Sequence, residues 1–169
     1  MDLLFVLVLT LSVVYDLRER RIPNALTVGG VCAALVLRLV IDPSTAVGGL
    51  QGAGLGLVVA LPLFALGAFG AGDGKLVIAM GAFLGWEGLP TALLIGGAVG
   101  GLLSLGYAVR RGVVLPVLYQ TRDLALYCVT LGRGGERRTL SSSSATTVPY
   151  GVAIAVGAVA AWMTGGPLP

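Results

Sequence analysis

A chain of 169 residues that is 56% hydrophobic and 11% charged, with 27 glycines and a mean hydropathy of +0.95, has the composition of an integral membrane protein. Its formal net charge of +3 comes from basic residues gathered in short loops, which points to anchoring at the inner leaflet and away from nucleic acid. With no histidine and only two, widely separated cysteines (Cys32 and Cys128), the sequence excludes a Ser-His-Asp triad, a Cys-His dyad and a His-ligated or C-x-x-C zinc site, and it calls for no metal or cofactor.

A helix crosses the hydrocarbon core with about 20 predominantly apolar residues. In chain order the candidate spans are 3–17, 25–41, 46–69, 76–86 and onwards, 91–109 and 148–164. The first follows the acidic Asp2 and has no basic leader or small-residue cleavage site, so it reads as a retained helix and not a signal peptide. The fourth is short, weakened by Gly81 and Gly85 and closed by Glu87-Gly88; crossing is favoured over a re-entrant turn because the resulting topology is self-consistent. The fold class expected is an all-α, polytopic membrane bundle of about six transmembrane helices, forming a single domain over residues 1–169.

Alternating these spans puts the loops 18–24, 70–75 and 110–147 on one side, and that side holds every Lys and Arg except Arg38. The positive-inside rule makes it the cytoplasmic side, leaves both termini outside, and fits a multi-pass protein of the inner membrane. Within 110–147, residues 113–131 are apolar but broken by Gln120, Arg122 and Asp123, which suits an interfacial helix. Residues 132–147, with Gly134-Gly135 and Ser141 to Ser144, read as a flexible linker. Glycines recur at four-residue spacing (Gly48/Gly52/Gly56, Gly81/Gly85, Gly96/Gly100, Gly97/Gly101), a pattern that lets helices approach closely within the bundle and would also serve a homo-oligomer.

Two carboxylates stand where apolar segments end. Asp16 closes the first span and precedes Ile22-Pro23-Asn24, with Pro23 suited to the first turn of the next helix. Asp73 sits in Gly70-Ala71-Gly72-Asp73-Gly74-Lys75, where the glycines free the backbone for close approach by another chain. The plainer reading of Asp73 is a helix N-cap, and that of Arg18, Arg20 and Arg21 is headgroup anchoring. Asp16 has a weaker plain reading because it lies on the apolar side of the basic cluster, and ionisable groups in membrane segments are functional candidates.

Together the two motifs resemble those of the type IV prepilin peptidases, the bacterial G-x-G-D aspartic membrane proteases. The resemblance rests on Asp16 with Ile22, Pro23 and Asn24, on Asp73 with Gly70, Gly72, Lys75 and Leu76, and on Pro149-Tyr150-Gly151 before the last helix. It implies that Asp16 and Asp73 are the catalytic pair of an aspartic endopeptidase that removes the short basic leader of a pilin-like precursor at the cytoplasmic membrane face. The chain lacks the paired-cysteine region of larger family members, so it looks like the short, protease-only form of tight-adherence (Flp-type) pilus systems, without N-methyltransferase activity.

In such a pair one carboxyl holds the proton and the other activates water, since two neighbouring carboxyls do not both ionise readily. Lys75 either raises acidity at Asp73 or pairs with lipid phosphate. The rival readings are a Ser–Lys hydrolase drawing on Ser12 or Ser104, a proton- or cation-coupled carrier using the intramembrane aspartates, and a membrane scaffold subunit.

Overall fold

The computed structural model describes residues 1–19, 22–65, 69–112, 122, 150–165 and 168. The interfacial helix expected over 113–131, the linker 132–147, Arg20, Arg21, Cys128 and Pro149 lie outside the described residues, Arg122 being the one residue described within 113–147. Among the described residues the chain is all helical: α1 (Asp2–Glu19), α2 (Asn24–Ile41), α3 (Pro43–Ala65), α4 (Ala71–Arg111) and α5 (Tyr150–Gly165). Contacts divide it into one unit, Met1–Gly100 with Pro149–Pro169, and a second, Gly101–Val148. In the second, the end of α4 carries Arg111 with its guanidinium 5.0 Å from the centre of the Tyr107 ring.

The first unit is built around the opening of α4. Leu76, Val77, Ala79, Met80, Ala82 and Phe83 are all buried there, and Phe83 meets Phe5 of α1 with ring centroids 5.6 Å apart. The outside is the inverse of a water-soluble surface: Val40, Leu50, Val58, Leu61 and Leu94 are exposed on the helix flanks. α2, α3 and α4 are long and apolar enough to cross a membrane. Such a surface is stable where the solvent is lipid, because apolar side chains lose nothing there by exposure.

Small residues draw α3 against α4. A Cβ on Gly52 or Gly81 would collide with the other helix's backbone, so this pair sets the interhelix distance. Gly48, Gly97 and Gly101 have open space where a Cβ would go. Only part of the expected glycine pattern is therefore spent on packing.

α4 is not straight. Gly85 has φ 75° and ψ −179°, a conformation that a residue with a Cβ rarely adopts, and the helical ladder breaks there, two residues before the expected Glu87-Gly88 boundary. After the break the chain runs back. Ala92 lies against Gly157, Gly96 against Ala153 and Gly100 against Tyr150, so this stretch is antiparallel to α5 and returns towards the end where α4 began.

Breaking a helix strands carbonyls, and here Arg38 takes them. Its Nε donates to Ala82 O at 3.0 Å, one terminal nitrogen to Phe83 O at 2.7 Å and the other to Thr45 O at 3.0 Å. A cation at a helix C-terminus is also favoured by the helix dipole. Arg38, the one basic residue outside the loops expected on the cytoplasmic side, is buried, at 5% exposure. Arg38→Met should strand the carbonyls of Ala82 and Phe83 and cost about 2 kcal/mol or more, lowering the thermal midpoint in detergent by roughly 4–8 °C. A midpoint within 2 °C of the wild type, on the order of 1 kcal/mol or less, would show that water or lipid headgroups replace it.

Candidate active site

Each motif folds as its residue types require, and both arrive at the same end of the first unit. Pro23 is the N-cap of α2 with φ −59° and ψ 137°, and its carbonyl accepts from the N–H groups of Leu26 and Thr27. The preceding Ile22 is buried and packs on Gly72, where a Cβ would lie 3.4 Å from the Ile22 Cβ and backbone nitrogen. Gly72 is therefore the groove into which the Ile-Pro-Asn hairpin fits. Asn24 then accepts a hydrogen bond at its Oδ1 from Lys75 Nζ, at 2.6 Å, tying the two motifs by side chains as well.

Asp73 is placed differently from a simple N-cap. α4 begins at Ala71, so Asp73 is the third helical residue, and its Oδ2 reaches back to accept from Gly70 N–H at 3.1 Å. This is the return half of a capping box, with Gly70 at the cap. It engages one carboxylate oxygen and leaves the half-buried side chain at the mouth of the helix beside the exposed Gly70 and Asn24.

Asp16 lies in the last turn of α1, 8% exposed, and its Oδ2 accepts from Gly151 N–H at 3.0 Å in the first turn of α5. A carboxylate here satisfies one of the orphan donors at the start of that helix. A Cβ on residue 151 would sit 2.5 Å from Asp16 Oδ2 and 2.9 Å from its Cγ, so only glycine leaves room for the side chain. Beside this contact the Phe69 and Tyr150 rings lie 6.1 Å apart at 50°, linking the lead-in to α4 with the start of α5.

Asp16 of α1 and Asp73 of α4 stand at the same end of the first unit, close enough for the charge of one to bear on the other, though less than burial does. Pairing of this kind requires three helix ends in register: the C-terminus of α1 and the N-termini of α4 and α5. Ser12, one turn before Asp16, is fully buried with its hydroxyl unpartnered, while Lys75 is held by Asn24. Ser12 and Lys75 thus form no dyad. Sequence reasoning named Asp16, Asp73, Ile22, Pro23, Asn24, Gly70, Gly72 and Lys75, and the structure gathers them at one end; it missed the Asn24–Lys75 bond and the role of Gly151 as Asp16's partner.

That bond carries a prediction. If the two aspartates act on a peptide bond, as the resemblance implies, Lys75→Ala and Asn24→Ala should each lower cleavage by roughly tenfold without abolishing it, because each loosens the mutual placement of the motifs by one charge-assisted hydrogen bond. Rates with a fixed substrate in matched membranes check it. A Lys75→Ala variant with no activity would give the ammonium a direct part in the chemistry.

Comparison with known proteins adds an independent view. The model of the type IV leader peptidase family matches residues 3–105, a stretch that contains both aspartates. A prepilin leader peptidase/N-methyltransferase of Legionella pneumophila is 35% identical over 131 residues, covering 73% of this chain and 43% of that protein. Proteins of the same description from Aeromonas hydrophila and Aeromonas salmonicida are each 45% identical over 42 residues, covering 25% of this chain and 14% of theirs. The chain thus spans under half the length of these curated relatives. No solved structure matches it.

Proposed function

Because the chain belongs to the type IV leader peptidase family, we propose that it is a membrane aspartic endopeptidase that removes the short basic leader of a pilin-like precursor, with Asp16 and Asp73 as its catalytic pair. The observation that supports this reading is the arrival of two carboxylates at one end of a membrane bundle, from separate motifs joined by the packing of Ile22 on Gly72 and the Lys75–Asn24 bond. One of them takes a proton from the attacking water. The other, protonated, stabilises the oxyanion that forms on the scissile carbonyl and then protonates the leaving amine. The exposed Gly70 beside Asp73 leaves room for an extended backbone, which an intact substrate helix cannot offer.

The topology proposed has six crossings, with α1 and α5 at the edges of the chain and α4 crossing twice, once on each side of Gly85. The return of the second stretch along α5 supports the double crossing. Both termini then lie outside and the two aspartates lie at the cytoplasmic face of the inner membrane, on the side of the basic loops. We treat residues 1–169 as one peptidase domain, and the proposal covers the peptidase half of the relatives' double name alone.

Co-expression with a prepilin tests the reading. The precursor should lose its leader, and N-terminal sequencing of the product should place the cut at the junction of the basic leader and the apolar helix. A cut deep inside the apolar segment would make this a protease of the intramembrane kind, and an untouched precursor would return the aspartates to an ion-carrying role.

A further inference from the structure

The buried face of α1 is apolar until its last two members. Phe5, Val8, Leu9, Ser12 and Asp16 follow one another along it, with Phe5 against Phe83 and Val8 against Gly30. Ser12 is 0% exposed, and its hydroxyl has no hydrogen-bond partner. An unpaired hydroxyl in a bundle core costs about 1–3 kcal/mol, which an alanine of nearly the same size would not incur. A buried polar group kept in that state calls for a reason in the chemistry around it.

The helix itself does not force the hydroxyl to stay unpaired. A serine or threonine in a helix has a ready acceptor in the carbonyl one turn back. Thr10, two residues earlier in α1, takes Val6 O at 2.7 Å, and Thr164 in α5 takes Ala160 O at 3.1 Å. Ser12 bonds neither Val8 O nor Leu9 O. Its hydroxyl is turned away from the carbonyls of its own helix.

The next group on this face is the Asp16 carboxyl. Residues four apart on a helix have Cβ atoms about 5–6 Å apart. Helical side chains lean towards the N-terminus, so that of Asp16 leans over the turn that carries Ser12. Gly151 N–H can only donate, which suits a carboxylate. A serine hydroxyl donates to a carboxylate and accepts from a carboxylic acid. On the reading that Asp16 and Asp73 are a catalytic pair, Asp16 changes protonation in every cycle within a site almost closed to water. We infer that Ser12 is a positioning residue for Asp16: during turnover its hydroxyl turns to the carboxyl and keeps it hydrogen-bonded in both protonation states, so that it stays in line with Asp73. A rotor that is unpaired at rest makes this bond without first breaking another, a form of preorganisation that lowers stability.

Kinetics of purified variants on one prepilin substrate decide it. Ser12→Ala should lower kcat by about tenfold with KM within about twofold of the wild type, because the hydroxyl touches Asp16 and not the substrate. Its thermal midpoint should be held or raised, because an orphaned hydroxyl has gone. Ser12→Thr restores a hydroxyl and should recover at least about a third of the wild-type kcat, whereas Ser12→Val, of the same shape without the hydroxyl, should not. A wild-type kcat in Ser12→Ala, a loss of kcat that comes with a lowered midpoint there, or a Ser12→Thr no faster than Ser12→Val would each overturn the role. Asp16→Asn measured alongside separates the two readings. Ser12→Ala at the wild-type rate beside an inactive Asp16→Asn removes Ser12 and leaves the pair, whereas an active Asp16→Asn removes the pair and the role of Ser12 with it.

Discussion

Asp16→Asn and Asp73→Asn should each abolish leader removal, with a fall of roughly 10²–10⁴-fold or more, while the protein accumulates in the membrane as the wild type does. The amide keeps the shape of the carboxyl and an oxygen that can still accept from Gly151 N–H in one case and Gly70 N–H in the other, so both structural contacts survive. What is lost is the exchangeable proton. An amide can neither take a proton from water nor give one to the leaving amine, and the remaining Asp cannot fill both roles at once. Processing is read from the size shift of a co-expressed prepilin, and abundance from immunoblots of the same membranes. Residual cleavage at a tenth of the wild-type rate in either variant would break the assignment.

Gly151→Ala is expected to be nearly as damaging, through one methyl group. On propensity alone the change should strengthen the start of α5, by up to about 1 kcal/mol. The added Cβ would nevertheless sit 2.5 Å from Asp16 Oδ2, and the carboxylate must swing away. A displacement of about an ångström at a reacting group costs on the order of 10²-fold in rate. Activity should therefore fall by about that factor with the thermal midpoint held or raised. Gly97→Ala, where nothing lies within 4 Å, is the matched control and should be silent on both counts. Wild-type activity in Gly151→Ala would mean that Asp16 tolerates displacement and that its bond to α5 is incidental.

The chemistry of the candidate site was legible because it rests on short-range features. Asp16, Ile22-Pro23-Asn24 and the glycine-flanked Asp73 each make local sense, and hydropathy places them at segment ends. The structure altered the details where tertiary contacts decide. Asp73 is the third residue of α4 and not its cap, because the backbone already begins to coil at Ala71 and Gly70 N–H is the nearest orphan donor. The role of Arg38 was not legible, since a lone cation in the last turn of an apolar helix carries no local sign of its partners, two of which lie 44 and 45 residues downstream. The break at Gly85 was placed late for the same reason: Glu87-Gly88 is the stronger local stop signal, but the conformation is fixed by the Gly85 backbone and by Arg38 holding the carbonyls behind it.

The separation between Arg38 and Phe83 has a consequence for how the chain enters the bilayer. During synthesis α2 leaves the ribosome with a guanidinium whose acceptors have yet to be made. At about 5–20 residues per second, the 45 residues to Phe83 take roughly 2–9 s to appear. For that interval α2 carries an uncompensated charge, which favours holding it beside the insertion channel or at the headgroups over releasing it alone into lipid. Once Ala82 and Phe83 follow, the charge acquires its carbonyls and α2, α3 and the first stretch of α4 can partition together.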